Sequence, residues 1–294
     1  MRIAGVLALG LLAACAAAPP AAGPAPALSE ILEQSPPGDW RTVDQDDLLY
    51  MQLPGGKVII ELATGLAPAH AANIRALARA HFYDGAAIVR SQDNYVVQWG
   101  RDEGDATPIG AATATLVPEF DSPRRGVAVT RLADPESYAR EVGFSDGMPV
   151  ASNGQRIWMA HCYGMVGAGR GDTAESGSGA ELYVVIGQAP RHLDRNIALV
   201  GRVLQGMELL STLPRGTGPL GFYETAQERT PVASVRLGSE LAVSDRTNLQ
   251  TLRTDSATFR AVIESRRFRR ESWFLDPVGH INVCNVPLPV RAAD

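Results

Sequence analysis

Two cysteines, Cys162 and Cys284, are the first candidates for chemistry in this sequence, and each has a histidine near it. His161 directly precedes Cys162, and His280 lies shortly before Cys284. Such a pair can form a disulfide in an oxidising compartment, remain as two buried thiols, or bind a metal with the histidines. The metal site has the weakest support, because adjacent residues such as His161 and Cys162 point to opposite faces of a strand. We therefore assign no metal and no cofactor, and the disulfide and the free thiols both stay open.

A glycine-rich segment from Gly164 to Gly179 is the next candidate, because glycine-rich loops can hold phosphate groups. Its glycines at 167, 169 and 171 do not have the dinucleotide-binding spacing, and a strand-like run follows them instead of a helix. The segment is better interpreted as a loop at the rim of a site. No Ser-His-Asp or Cys-His arrangement stands out from the spacing, so a hydrolase has little support.

Two blocks of the chain carry motifs at specific spacing. The first, within residues 57–100, contains Val58-Ile59-Ile60-Glu61-Leu62, Ala67-Pro68, Asn73, Phe82-Tyr83-Asp84-Gly85, Arg90, Gln98 and Gly100. The second contains Ser178-Gly179-Ala180-Glu181-Leu182-Tyr183, His192-Leu193-Asp194 and Val200-Gly201-Arg202-Val203-Leu204-Gln205-Gly206-Met207. Together they resemble the cyclophilin family of peptidyl-prolyl cis-trans isomerases. The resemblance covers about residues 48–240, with a poorly matched insertion at 101–155.

The resemblance implies a role for individual residues. Arg90 takes the place of the catalytic arginine, and Gln98 that of the polar group that grips the substrate backbone. The remaining substrate-binding residues that it implies form a cup for the proline ring and its rim: Tyr95, Val96, Gly169, Tyr183, His192 and Leu193. The chain departs from the family at His192, where the family has tryptophan, and at Ile197, where it has histidine. The first change argues against tight binding of cyclosporin, and the second removes one polar partner.

The chemistry that these residues would support needs no metal and no covalent intermediate. Rotation about a peptide bond costs about 18–20 kcal/mol, because the nitrogen lone pair is delocalised into the carbonyl. Twisting releases that lone pair, and an arginine suits its stabilisation because the guanidinium stays charged and holds its donors in a rigid plane. We therefore expect an isomerase of Xaa-Pro bonds in exported proteins. The alternatives are a proline-peptide binding module without useful turnover and a purely structural envelope protein.

The elements that would position these residues are mostly short strands. Two β-type runs, 48–53 and 57–62, flank the turn residues Pro54-Gly55-Gly56, which predicts a hairpin. Pro68 suits the first turn of a helix, and apolar residues follow it at helical spacing. Many short strands with only two clear helices indicate a mainly β protein with a closed or nearly closed barrel. The resemblance implies an eight-stranded antiparallel barrel capped by two helices.

Residues 241–294 form a predicted C-terminal extension with a small α/β character. Its pattern predicts a helix over 258–270 and a last strand over 280–286. Arg266, Arg267, Arg269 and Arg270 make the helix end basic. This cluster is either a solvated helix face or a contact to anionic lipid.

The first fifteen residues resemble a bacterial lipoprotein signal. Arg2 precedes an apolar run that is too short to span a bilayer, and Leu12-Ala13-Ala14-Cys15 resembles a lipobox. The resemblance implies that Cys15 carries the lipid and anchors the chain in the membrane, facing the periplasm, with the outer membrane favoured. An ordinary cleaved signal or an N-terminal helix is the alternative. Residues 16–47 would then be a Pro/Ala-rich tether and lead-in.

Composition excludes two broad classes of protein. The chain has 294 residues, of which 45% are hydrophobic, which is ordinary for a globular protein and excludes a disordered one. Its 27 basic and 32 acidic residues give a net charge of −5, which argues against nucleic acid as a partner. The partners that we expect are proline-containing polypeptides that are unfolded or partly folded.

Overall fold

The computed structural model of the chain describes residues 26–293. The predicted signal, Cys15 and residues 16–25 of the predicted tether lie outside the described residues. Four α-helices occur in the described part: α1 (Leu28–Glu33), α2 (Pro68–Arg79), α3 (Met207–Ser211) and α4 (Ala257–Phe268). No described helix combines the length and the apolar character needed to cross a bilayer.

The first strands build a hairpin that is apolar on both faces. The strands before the insertion are β1 (Trp40–Thr42), β2 (Leu48–Leu53), β3 (Gly56–Leu62), β4 (Ala87–Ser91) and β5 (Val96–Gly100). Because side chains alternate along a strand, Val58 and Ile60 enter the main core, whereas Ile59 lies on the other face. There it packs in a small cluster with Leu249 of the C-terminal extension. The extension thus covers an apolar outer face of the hairpin.

The insertion and the strand that directly follows it form a separate five-stranded antiparallel sheet. Its strands are β6 (Ser122–Pro123), β7 (Thr130–Leu132), β8 (Glu141–Ser145), β9 (Met148–Ser152) and β10 (Arg156–Met159). They lie in the order β6-β10-β9-β8-β7. The sequence predicts a strand over 155–161, where β10 lies, but only a few short apolar runs within 101–155, so the sheet that joins them is a finding of the structure.

The last strands close the barrel. They are β11 (Met165–Ala168), β12 (Leu182–Val185), β13 (Leu199–Gln205), β14 (Thr230–Pro231) and β15 (Ser234–Leu237), followed in the extension by β16 (Leu249–Leu252) and β17 (Val290–Ala292). β14 pairs with β4, and the next amide, of Val232, donates to the carbonyl of Ala86. The amide of Ala233 then donates to Gln52, and β15 pairs with β2. One segment therefore joins the two ends of the sheet.

The barrel has eight strands when β14 and β15 are counted as one strand that changes its partner. The order is β4-β5-β12-β11-β13-β3-β2-β15, and every neighbouring pair is antiparallel. The mainly β fold is thereby confirmed. α2 starts at Pro68 and buries Ile74 and Leu77 in the barrel core, and α3 buries Leu210 in the same core.

A second core joins the insertion to the lead-in and the extension. The rings of Phe144 on β8 and Phe259 on α4 meet edge to face with their centroids 5.0 Å apart. β1, β16 and β17 form a three-stranded sheet, and α1 packs on α4. A disulfide joins Cys162 to Cys284, with 4.9 Å between their Cα atoms. Of the arrangements that the sequence leaves open, the structure has the covalent link.

The predicted strand over 280–286 is wrong. Ile281, Val283 and Val286 are buried, which explains the strand-like pattern, but they flank a 3-10 turn at Val283–Asn285. The side chain of Asn282 accepts a hydrogen bond from the amide of Cys284 and starts that turn. The last strand lies further on, at Val290–Ala292, where it pairs with β16.

Candidate functional site

Arg90 and Gln98 lie opposite each other on the neighbouring strands β4 and β5. Their Cα atoms are paired in the sheet, after a register shift between Ile88 and Arg90. Nη1 of Arg90 donates to Oε1 of Gln98 at 3.2 Å. Nε2 of Gln98 donates in turn to Oε1 of Glu181 at 2.5 Å. The guanidinium and the amide are therefore fixed in one polar row that runs from β4 over β5 to the residue before β12.

The guanidinium of Arg90 is also held from its other side. Its Nε donates to the carbonyl of Leu220 at 2.7 Å, and its Nη2 bonds to the side chain of Gln92. The charge lies 5.5 Å from the ring centroid of Tyr95 and 5.2 Å from that of Phe222. Burial lowers the pKa of Arg90, an effect that Tyr95 and Glu181 oppose. Arg90 is thus a half-buried cation with a fixed plane, bordered by aromatic rings.

An apolar cluster lies beside this cation. Val96, Tyr183 and Val185 are buried in it, and Tyr95 and Ile197 pack on them from the partly exposed side. Val185 and Ile197 are not among the residues predicted for the cup, and Ile197 adds an apolar side chain where the family has histidine. The cluster and Arg90 are connected through Tyr95, which contacts both.

The other predicted site residues lie around this cluster. The exposed imidazole of His192 stacks in parallel on the ring of Tyr95, with 6.1 Å between centroids. Leu193 is half-buried in the same 3-10 turn, Arg191–Leu193, but is not a member of the apolar cluster. The amide of Gly169 donates to the carbonyl of Glu181 at 2.8 Å, which places Gly169 at the rim. Pairwise contacts thus connect six of the predicted residues into one group, with Gly169 and Leu193 at its edge: Arg90, Tyr95, Val96, Gln98, Tyr183 and His192.

A series of buried hydrogen bonds starts at Tyr183 in the apolar cluster and ends in the insertion. The hydroxyl of Tyr183 lies 2.8 Å from Nε2 of His161, whose Nδ1 lies 2.9 Å from the carboxylate of Asp194. Nε of Arg191 donates to the same carboxylate at 2.7 Å, and its Nη1 donates to Glu136 of the insertion at 3.1 Å. The site is therefore connected to the insertion through buried hydrogen bonds.

The protonation states along this series of hydrogen bonds follow from burial and charge. Burial lowers the pKa of His161, and the charge of Arg191 acts in the same direction, whereas the hydrogen bond that the imidazole donates to Asp194 opposes them. Burial also raises the pKa of Tyr183 well above its ordinary value. For Asp194, burial raises the pKa, but the hydrogen bond to His161 and the charge of Arg191 outweigh it, and the pKa is lowered. A neutral imidazole between a phenol and a carboxylate fits all three directions.

Several residues of the site have no signal in the sequence. Phe222 reaches Arg90 from the connection between α3 and β14, where no motif points to it. The backbone there requires Gly221, which has φ +78°, because a Cβ atom would lie 2.6 Å from the Cα of Gln92. His161 and Asp194 are distant in sequence, and Glu136 lies in the insertion that matches the family poorly. Among the described residues, no group of three or more His, Cys, Asp or Glu side chains is arranged to hold a metal ion.

The arrangement suits one kind of chemistry. A fixed cation and an amide can hold the polar backbone of a peptide, while the apolar cluster takes a small ring beside them. The charge of Arg90 is partly withdrawn from water, which strengthens its electrostatic interaction with a peptide bond that twists beside it.

Comparisons with known proteins agree with this geometry. The family model described as cyclophilin type peptidyl-prolyl cis-trans isomerase/CLD matches residues 48–237. A probable peptidyl-prolyl cis-trans isomerase of Brucella suis is 23% identical over 175 residues, which are 59% of this chain and 74% of that protein. Peptidyl-prolyl cis-trans isomerase-like 4 of Mycosarcoma maydis is 23% identical over 194 residues, and the chain covers 32% of its length.

A solved structure is similar over more of the chain than the family model. The crystal structure of cyclophilin AquaCyp293 from Hirschia baltica matches with a TM-score of 0.67 and 25% identity. The match covers 86% of this chain and 93% of that one. Because this share exceeds residues 48–237, part of the lead-in or the extension also has a structural counterpart there.

Proposed function

The chain belongs to the cyclophilin-type peptidyl-prolyl cis-trans isomerase family, and from that premise we propose that it isomerises Xaa-Pro bonds of exported proteins in the bacterial cell envelope. Uncatalysed isomerisation of such bonds takes tens to hundreds of seconds, which is slow enough to limit folding. The proposed role is to remove that limit for polypeptides that have left the cytoplasm.

The observation that carries this proposal is the position of Arg90 beside the apolar cluster. A proline ring seated on Val96 and Tyr183 would place the preceding peptide bond over the polar row of Arg90 and Gln98. As the bond twists, its nitrogen recovers a lone pair that a guanidinium N–H can stabilise. This interaction accelerates the reaction only because it is stronger in the twisted state than in the planar one.

The proposed location depends on two features of the chain. Leu12-Ala13-Ala14-Cys15 resembles a lipobox, which predicts a lipid anchor on Cys15. The disulfide between Cys162 and Cys284 supports an oxidising compartment, because such bonds are rare in the cytosol. Mass spectrometry of envelope-derived protein would detect acylation of Cys15. A Cys15→Ser chain that still fractionates with the membrane would count against the anchor.

The activity is tested by the acceleration of isomerisation of short Xaa-Pro peptides by the full chain. We expect Arg90→Ala to lower kcat/KM by on the order of a hundredfold, as for loss of a preorganised donor. Arg253→Ala is the matched control, since that arginine pairs with Asp255 on an exposed surface. Folded wild-type protein that accelerates none of several peptides would overturn the proposal.

A proline-peptide binding module is the second candidate. The observation that favours it is the exposed His192 on Tyr95, where the resemblance expects the larger indole of a tryptophan. A module of this kind would bind a proline peptide, lose that binding in Arg90→Ala, and show no turnover. Measuring peptide affinity and isomerisation on the same samples separates the two functions.

A further inference from the structure

Three large apolar side chains are exposed in a six-residue segment, 273–278, that follows α4. The exposed fraction is 81% for Trp273, 97% for Leu275 and 71% for Val278. Phe274 lies between them and meets the Trp273 ring edge to face, with 4.9 Å between centroids. We call residues 273–278 the apolar loop. Water-exposed side chains of this size in one short segment mark a contact to something else.

Basic residues border the apolar loop. The guanidinium of Arg269 lies 5.2 Å from the ring centroid of Phe274, and that of Arg270 lies 5.1 Å from that of Phe268. Arg266 and Arg267, by contrast, are paired with carboxylates of Glu271, Asp134 and Glu264. No ion pair joins Arg269 or Arg270 to a carboxylate in the part of the chain that the structure describes. Asp276 is the acidic residue within the loop.

The apolar loop lies near the point where the described chain begins. A cavity of about 350 Å³ is lined by Pro26 and Ile31 together with Phe268 and Arg270. Pro26, the first described residue, therefore lies beside the end of α4. If Cys15 carries the lipid, the chain between it and Pro26 spans at most ~40 Å at about 3.5 Å per residue. The anchor would thus keep this side of the molecule close to the bilayer.

We propose that the apolar loop rests in the interface of an anionic membrane. Trp and Leu side chains enter the boundary between headgroups and acyl chains, where tryptophan is particularly favoured. Arg269 and Arg270 would meet anionic headgroups, which attract basic side chains near the surface. The nearness to the bilayer rests on the proposed function through the lipid anchor, whereas the exposed loop and its charges do not.

The fluorescence of Trp273 can report whether the apolar loop contacts a membrane. The other three tryptophans, Trp40, Trp99 and Trp158, are at most 8% exposed. The full chain is mixed with vesicles of phosphatidylethanolamine and phosphatidylglycerol that carry brominated acyl chains. The fluorescence of Trp273 is the difference between the spectra of the wild type and of Trp273→Phe. We expect this fluorescence to shift to shorter wavelength and to be quenched by the bromines. Brominated vesicles without anionic lipid should quench it less.

Two results would overturn the proposal. One is a chain that binds the vesicles while Trp273 is quenched by aqueous iodide and not by the bromines. The N-terminal segment would then be the part of the chain that binds the membrane. The other is shielding of Trp273 before any lipid is added, which indicates a second copy of the chain as the partner.

A pair of variants tests the apolar contact. Leu275→Ser should lower the efficiency of quenching by about tenfold at low lipid concentration, because one large apolar side chain no longer enters the membrane. Val243→Ser is the matched control, since Val243 is 80% exposed but lies far from the loop in sequence. Equal quenching in both variants would contradict the proposal. Isomerase activity should be unchanged in both, so that a failure here stays distinct from a failure of the proposed enzyme.

Discussion

Nε2 of His161 lies 2.8 Å from the hydroxyl oxygen of Tyr183, one of the residues predicted to form the proline cup. Nδ1 of the same imidazole lies 2.9 Å from Asp194, which also accepts the backbone amide of His161 at 3.0 Å. Because the carboxylate accepts, Nδ1 carries the proton and Nε2 accepts the proton of the phenol. The orientation of the Tyr183 ring is thus fixed by its hydrogen bond to His161.

The first prediction concerns this hydrogen bond. Tyr183→Phe keeps the apolar ring but leaves Nε2 of His161 buried without a donor, which should cost about 1–3 kcal/mol of unfolding free energy. Isomerase activity should stay close to that of the wild type. Urea unfolding and a peptide assay on the same variant measure both effects. Tyr163→Phe, at an exposed tyrosine, is the control. An unchanged stability in Tyr183→Phe would contradict this account.

The second prediction is a loss of stability in mild acid. Burial lowers the pKa of His161, so the unfolded chain binds a proton near pH 6.5 while the folded chain does so only at lower pH. The stabilisation is complete above about pH 6.5 and falls by up to about 1.4 kcal/mol per pH unit below it. Asp194 does not contribute to this loss, because its pKa is lowered and its stabilisation of the folded state falls only near and below the ordinary aspartate value of 3.8.

Unfolding of the wild type and of His161→Gln between pH 7.5 and 5 is the measurement, since the amide does not titrate. The wild-type curve should fall more steeply, because burial and the charge of Arg191 both disfavour the protonated imidazole. Parallel curves for the two proteins would rule out His161 as the source.

The third prediction concerns the link to the insertion. The side chains of Arg191 and Glu136 are each 3% exposed and form an ion pair at 3.1 Å. Glu136→Ala leaves Nη1 of Arg191 buried without its acceptor, but Arg191 keeps its ion pair with Asp194. Loss of one hydrogen bond from a charged group costs about 1.5–3 kcal/mol, and Glu136→Ala should destabilise the protein by that amount in chemical unfolding. Glu103→Ala, at an exposed glutamate, should have little effect, and equal effects would refute the assignment.

Local patterns predict much of the barrel. The turn residues between β2 and β3 and the proline that starts α2 act within a few residues of themselves, so short stretches of sequence are enough to recognise them. The same holds for the predicted helix over 258–270, which the structure places at Ala257–Phe268. Arg90 and Gln98 could be singled out because a motif with specific spacing surrounds them. Their roles stay predictions.

The rest depends on contacts between distant segments. The strands of the insertion are short, and the core that they share with α4 forms through pairs such as Phe144 and Phe259. Burial against that core also produced the alternating pattern at Ile281 and Val283 that imitates a strand. Phe222 is brought to Arg90 by a loop in which no periodic pattern exists. Such relationships arise only when the chain is folded.

The fourth prediction concerns the disulfide. Cys162 and Cys284 are separated by 122 residues, so their link constrains a long loop in the unfolded chain. Reduction should lower the unfolding free energy by about 2–5 kcal/mol. Chemical unfolding with and without a thiol reductant measures this difference. The double variant Cys162→Ala, Cys284→Ala should be insensitive to the reductant, and a wild type that is equally insensitive would contradict the prediction.

The fifth prediction separates charge from geometry at Arg90. Arg90→Lys keeps a cation but replaces a planar guanidinium by a compact ammonium. The ammonium cannot donate to both Gln98 and the carbonyl of Leu220, and it leaves unfilled the space that the guanidinium plane occupies between two rings. Loss of one hydrogen bond from a charged group costs about 1.5–3 kcal/mol. That corresponds to roughly a tenfold to hundredfold fall in kcat/KM. The control is Arg253→Lys, which should leave activity unchanged. If Arg90→Lys retained full activity, a positive charge alone would be sufficient, and the fixed plane of the guanidinium would have no part in the reaction.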